Sequence, residues 1–188
     1  MTRWEPDARG RLQQAALELF GERGFEQTTV EDIATRAGLT KRTFFRHYRD
    51  KREVLFGGGD EFERLFVDAL ADAPATATPL EAVAGALEAV AGWFHGRREQ
   101  AARRQVVIAA NAELQERELV KLATVAGALA GALRARGVAE PAASVTADTG
   151  IAVFRNAFER WVAAGEEREL TELLRESLDA LRAVTAAG

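Results

Sequence analysis

Between Thr29 and Leu55 the chain reads TVEDIATRAGLTKRTFFRHYRDKREVL, and its spacing leaves little choice of fold. Thr29 followed by Asp32 has the Thr-x-x-acid form of a helix start, and Val30, Ile33, Ala34 and Ala37 then recur at helical spacing. Gly38 ends that helix, because glycine takes the left-handed backbone of a tight exit without steric cost. Leu39 plugs the turn, Thr40 is a second N-cap, and Lys41 to Tyr48 form a second short helix. Two short helices joined by a glycine-containing turn predict a helix-turn-helix.

Charge says what such a pair meets. From Arg36 to Arg52 there are seven basic residues (Arg36, Lys41, Arg42, Arg46, Arg49, Lys51, Arg52) against one acid, Asp50. Residues 1–56 hold 11 Lys+Arg against 9 Asp+Glu, whereas the remainder holds 14 against 20. A local positive field on an acidic chain of net charge −4 is the footprint of phosphate binding. A solvated basic face is the plainer account, but it needs neither the paired caps nor Thr43, Phe45 and His47 interleaved among the charges.

Arg23-Gly24-Phe25, Thr28 to Ala34, Ala37 to Lys41, Thr43-Phe44-Phe45, His47-Tyr48 and Asp50 to Leu55 together resemble the DNA-binding domain of the TetR family of transcriptional regulators. The resemblance runs from about Arg11 to Phe56; beyond it the chain matches only in size and helical character. Many members have glycine where this chain has Arg42, and many have tyrosine where it has Phe45. The resemblance implies a palindromic double-stranded DNA operator, a homodimer, and a helical body that binds a small-molecule effector. It also implies repression of transcription, whose sign the residues themselves leave open.

The DNA-binding candidates are Thr29, Thr40, Lys41, Arg42, Thr43, Phe45, His47, Tyr48 and Lys51. Thr29, Phe45, His47, Tyr48 and Lys51 are candidates for phosphates. Lys41, Arg42 and Thr43 begin the recognition helix, whose N-terminal end meets base edges in the major groove. Phe44 is expected in the core. The first helix, opened by Pro6-Asp7 and closed by Gly24, buries Leu12, Ala15, Ala16, Leu19 and Phe20.

The chain is expected to be all-α, with a three-helix helix-turn-helix head over residues 1–52 and a helical ligand-binding and dimerisation body over 53–188. Four prolines and 47% hydrophobic residues among 188 suit this class. A long helix is predicted from Asp50 to about Asp72, softened by Gly57-Gly58-Gly59, which reads equally as a joint or as close packing. After the linker Ala73 to Pro79, helices are predicted to about Phe94, over Arg97–Asn111, Glu113–Arg136 and Glu140–Ala164, and after Gly165.

The inward stripes of the body bring forward Phe62, Phe66, Trp93, Phe94, Val107, Ile108, Leu122 and Phe154 as an apolar pocket, with Arg104, Asn111 and Thr149 as its polar groups. An elongated or aromatic effector with an anionic end for Arg104, a fatty-acyl molecule among others, fits that composition. The dimer seam is expected at Phe154, Phe158, Trp161, Leu170, Leu174, Leu178 and Leu181, residues that could equally serve one chain's core.

Little points to catalysis. There is no cysteine, the two histidines His47 and His95 lack metal-binding spacing, and no phosphate-cradling glycine motif carries its lysine. No metal or cofactor is expected. The start is polar without a signal core, and the longest uncharged run, Leu122 to Leu133, falls short of the ~20 residues that span a membrane. A cytoplasmic regulator is expected, with a helical protein-interaction module bearing a basic head as the alternative.

Overall fold

Each short helix near the N-terminus starts on a threonine whose hydroxyl takes up an otherwise orphaned backbone N–H. Thr29 Oγ1 accepts from the Asp32 N–H (3.1 Å) while the Asp32 carboxylate accepts the Thr29 N–H (2.9 Å), and Thr40 Oγ1 accepts from the Thr43 N–H (3.1 Å). These caps open α2 (Val30–Arg36) and α3 (Lys41–His47), which follow α1 (Ala8–Arg23). The computed structural model describes residues 7–186. Pro6, expected to open α1, lies outside them, as do Ala187 and Gly188 of the Ala186-Ala187-Gly188 end that is expected to fray; Ala186 is the last residue of the final helix. Downstream come α4 (Gly59–Ala71), α5 (Pro79–Trp93), α6 (Arg98–Ala109), α7 (Ala112–Ala135), α8 (Ala142–Val162) and α9 (Leu170–Ala186). The chain is all-helical, with no strand among the described residues.

The chain divides into two units. One is the chain up to Gly59 together with Arg103–Glu118; the other is Asp60–Ala102 with Leu119 onward. This is not the contiguous cut at 52/53 expected from the sequence.

In the first unit α1 buries Leu12, Ala15, Ala16, Leu19 and Phe20, the predicted stripe. Ile33, Ala34, Phe44 and Tyr48 pack with them, and Val107, Ile108 and Leu114 complete the same core from the middle of the chain. Gly24 ends α1 at φ 85°, and Phe25 folds back edge-on to Phe20 with ring centroids 5.1 Å apart. The Arg11 guanidinium donates to the Ala37 carbonyl, tying α1 to the α2–α3 turn, where Gly38 sits at φ 66°.

The predicted helix from Asp50 to Asp72 is broken. Only a 3-10 turn, Glu53–Leu55, precedes Gly59, where α4 begins. The glycines explain the break. Gly58 has φ 104°, a conformation that other residues avoid, and a Cβ on Gly57 would lie 2.6 Å from the Tyr48 ring. The Gly57 carbonyl accepts from Gln13 Nε2 at 2.7 Å, so this segment is packed against α1 rather than coiled into a longer helix.

The second unit is built on α5, α8 and α9. Ala82, Val83, Ala86, Leu87 and Val90 of α5 share one core with Ala143, Ala147, Ile151 and Phe154 of α8. Small residues let the two helices approach closely: a Cβ on Gly150 would stand 2.5 Å from Val83 Cγ1. Phe62, Phe66, Trp93, Phe94, Phe154, Phe158 and Trp161 form a continuous ring cluster, with neighbouring centroids such as Phe62–Phe66 at 5.0 Å and Phe94–Phe158 at 5.2 Å.

Two expectations need correction here. Phe154, Phe158, Trp161, Leu170, Leu174 and Leu178 are buried inside a single chain, so their apolar surface is already spent on the α8–α9 hairpin and its neighbours; Leu181 alone of that set is half-exposed. The expected pocket residues do not assemble either. Phe62, Phe66, Trp93, Phe94 and Phe154 come together with Leu122 packed against their core, but Val107 and Ile108 belong to the core of the first unit. Asn111 is in the first unit, donating to the Val107 carbonyl (2.7 Å), and Thr149 turns its hydroxyl back to the Val145 carbonyl (2.7 Å). Arg104 is no free anion anchor: its Nε donates to the Leu55 carbonyl (2.8 Å) and its Nη1 to the Glu118 carboxylate (2.9 Å). Helical periodicity places a side chain inward but cannot say toward which unit.

Candidate nucleic-acid interface

The seven cations between Arg36 and Arg52 have different employments. Arg36 is paired with Glu22 (2.8 Å) and Glu18 (3.3 Å), which raises its pKa above the usual arginine value. Arg52 pairs with Asp50 (2.8 Å) and faces Glu113 at 3.9 Å. Lys41 lies 3.9 Å from Glu31, both well exposed, a contact too loose to hold its ammonium. Arg42, Arg46 and Arg49 have no carboxylate partner among the described residues and are exposed. The local field that the sequence announced is therefore concentrated on α3 and the residues just past its end.

Lys51 is a correction. Its Nζ donates to the Phe25 carbonyl (2.8 Å), reaches those of Glu26 and Thr28 (3.4 Å each), and stands 4.2 Å from the Phe25 ring centroid. Lys51 pins the turn between α1 and α2, and its three donors are already engaged there. Tyr48 is a second correction. Only 4% exposed, it lies under Arg9 and against Phe44, and its hydroxyl donates to the Arg9 carbonyl (3.4 Å). Burial raises its phenol pKa. Neither side chain is presented as a phosphate contact.

The other candidates sit on the outer side of the helix pair. Thr29 is exposed, with its hydroxyl donated to Asp32 (2.6 Å). Thr40 and Thr43 share a hydroxyl–hydroxyl bond (3.0 Å), so Thr43 is half-buried and partly committed to the cap. Phe44 is completely buried, as expected, whereas its neighbour Phe45 is 50% exposed. His47 is exposed on the last turn, and partial desolvation with the nearby Arg46 and Arg9 charges lowers its pKa. Thr40, Arg42, Thr43, Phe45 and Arg46 line one open concavity. Arg46 is thus part of this surface, and Arg9 stands beside it, over the Tyr48 ring at 5.7 Å and near His47; neither is among the contacts expected from the sequence. Arg46 had a signal, since it lies four residues after Arg42 and therefore on the same helical face; Arg9 had none.

Comparison with known proteins agrees with this geometry. Residues 12–56 match the family described as bacterial regulatory proteins, tetR family, and residues 77–186 match one described as the MftR C-terminal domain. The chain is 44% identical over 84 residues to the HTH-type transcriptional regulator TcmR of Streptomyces glaucescens, covering 45% of this chain and 37% of that protein. It is 38% identical over 82 residues to the HTH-type transcriptional repressor KstR2 of Mycobacterium tuberculosis, covering 41% and 39%. The matched region thus spans under two fifths of either relative's length. Among solved structures, the fatty acid degradation regulator FadR from Bacillus halodurans superposes with a TM-score of 0.61 at 19% identity, covering 95% of this chain and 96% of that one. FadR from Bacillus subtilis, solved in complex with stearoyl-CoA, gives 0.59 at 20% identity, covering 92% and 96%. At such identities these likenesses establish the fold.

Proposed function

This chain belongs to the TetR family of bacterial regulatory proteins, and from that premise we propose that it is a dimeric, ligand-responsive transcriptional regulator that grips DNA through α3. One observation carries the reading. Arg42 and Arg46 are exposed without a carboxylate partner among the described residues and Phe45 is half exposed beside them, while Phe44, the Thr40 cap and the Arg11–Ala37 bond hold α3 from behind. A scaffold bearing a merely solvated basic face has no need of that fixed platform. Backbone positioning falls to Thr29, His47, Arg46 and Arg49, and base reading to the first turn and a half of α3.

The dimer seam is the outward face of α8 and α9. Val145 (60% exposed) and Ala152 on α8, with Ala180 and Val184 (78% exposed) on α9, offer small and apolar side chains to a second copy. Small side chains allow two helix pairs to approach closely, and two linked heads read two half-sites. The effector is a largely apolar small molecule acting on the ring cluster, where half-exposed Phe62, Trp93 and Phe94 offer access. Repression is the direction that the relatives' names favour.

The test is fluorescence anisotropy of the full chain with duplex DNA at two salt concentrations. A dimer making six or more phosphate contacts should lose about a thousandfold in affinity between about 50 and 200 mM salt. Affinity that is absent, or insensitive to salt, refutes the reading. Ala152→Glu tests the seam: light scattering should give a folded monomer with weakened DNA binding, and a dimer that persists moves the seam elsewhere.

A further inference from the structure

Behind α3 the packing is complete; in front of it one large apolar ring is left over. Phe45 is half exposed, yet its direction is fixed, because it stands edge-on against the fully buried Phe44 with centroids 5.5 Å apart and planes at 82°. Three residues before it is Arg42 and directly after it is Arg46, both exposed and without carboxylate partners among the described residues. Scattered surface hydrophobics need no explanation. This ring, however, lines a concavity between two unpaired guanidiniums, a place that a polar side chain would fill more cheaply in water. A phenyl ring has no proton to give a phosphate, so its contribution to a DNA surface must be apolar.

The floor of the major groove offers one apolar group, the C5-methyl of thymine, and guanine offers the O6/N7 pair that arginine takes with both arms. Resting on the DNA-binding reading above, we propose that Phe45 is a base-reading residue that seats a thymine methyl group, with Arg42 taking a guanine beside it. Residues three apart on a helix stand roughly 5–6 Å from one another, against about 3.4 Å per base pair. The thymine and the guanine therefore lie within about two base pairs in each half-site.

Replacing thymine by deoxyuridine removes only the methyl group, which makes the inference separable from every other contact. Preferred sites are first selected from a randomised duplex library with the full-length chain, and each thymine is then exchanged singly. One thymine per half-site should lose about fourfold in affinity on exchange, and both together about fifteenfold. Phe45→Ala should weaken the thymine site by a similar factor and bind the uracil site no worse. Phe45→Leu, which keeps an apolar tip, should retain part of the discrimination. Thermal melting of both variants should match the parent, since the ring is not part of the buried core. The inference is overturned if no thymine is sensitive to the exchange, or if the sensitivity survives in Phe45→Ala. A chain that selects no sequence and shows no salt-dependent affinity for duplex DNA overturns the regulator reading itself, and this inference with it.

Discussion

Ile108→Ala should loosen the DNA-binding head although residue 108 lies far from it in sequence. Ile108 is completely buried in the cluster that contains Leu12, Leu19, Ile33, Phe44 and Leu114. The substitution deletes three carbons, about 2.4 kcal/mol in lost transfer energy at ~0.8 per methylene. The cavity left behind adds to this, for a total of about 2–5 kcal/mol. Hydrogen exchange of the intact chain, read by mass spectrometry, resolves where the loss falls. Amides of α1 and α2 that open with the first unit should exchange about fiftyfold faster or more. Those of α8 and α9 should be unchanged, because Ile108 has no part in their core. Ile108→Val, one carbon smaller, should cost only about 0.5–1.5 kcal/mol and give a proportionately smaller effect. Ile108→Trp, which the sequence alone would suggest for filling an effector pocket, should instead overpack the head. Faster exchange spread equally over α8 and α9, or none in α1, would refute the assignment of residues 103–118 to the head.

Lys51→Ala should lower stability by about 1–2 kcal/mol in urea titration, through loss of the charged bond to the Phe25 carbonyl, discounted for partial exposure. Its salt dependence of DNA binding should stay unchanged; a slope smaller by about one with unchanged stability would return Lys51 to the phosphate backbone. His47 has a lowered pKa in the free chain, and a phosphate neighbour would favour its charged form, so DNA affinity should strengthen on acidification from about pH 7.5 to 5.5 and this dependence should vanish in His47→Gln. By the same linkage the fold binds this proton more weakly than the unfolded chain. The His47 contribution to stability is therefore complete above its ordinary pKa of 6.5 and is lost as pH falls below it, which urea titration at several pH values reads. Gly150→Ala should destabilise the second unit by about 1–3 kcal/mol, since the new methyl meets Val83 at 2.5 Å. Gly127→Ala in α7 has open space and should stabilise by up to ~1 kcal/mol; the opposite order of the two thermal shifts would contradict the packing described.

What the sequence disclosed was local. The Thr29 and Thr40 caps, the Gly38 exit and the Phe25 fold-back depend on residues within about four positions of each other, so their pattern can be read directly. Phe44 in the core followed from the same short-range logic. What stayed hidden depended on distant partners. Lys51 looks like a phosphate contact until the Phe25–Thr28 carbonyls are seen beside it. Tyr48 sits next to exposed His47, yet the Gly57 backbone and α1 close over it. The stripe containing Phe154, Trp161 and Leu174 was legible as apolar, but whether it faces its own chain or another copy is not a property of spacing.

The discontinuous head also sets an order of events during synthesis. Its first 59 residues leave the ribosome without Val107, Ile108 and Leu114, which arrive only after a further stretch of chain has been made. At roughly 5–20 residues per second, the interval from Gly59 to Glu118 is about 3–12 s of translation. Throughout it Leu12, Leu19 and Phe44 have an unfinished core. Apolar surface left open in this interval is the kind that chaperones recognise, and a gene fragment ending at Gly59 encodes every candidate DNA-contacting residue without Val107, Ile108 and Leu114, which complete its core.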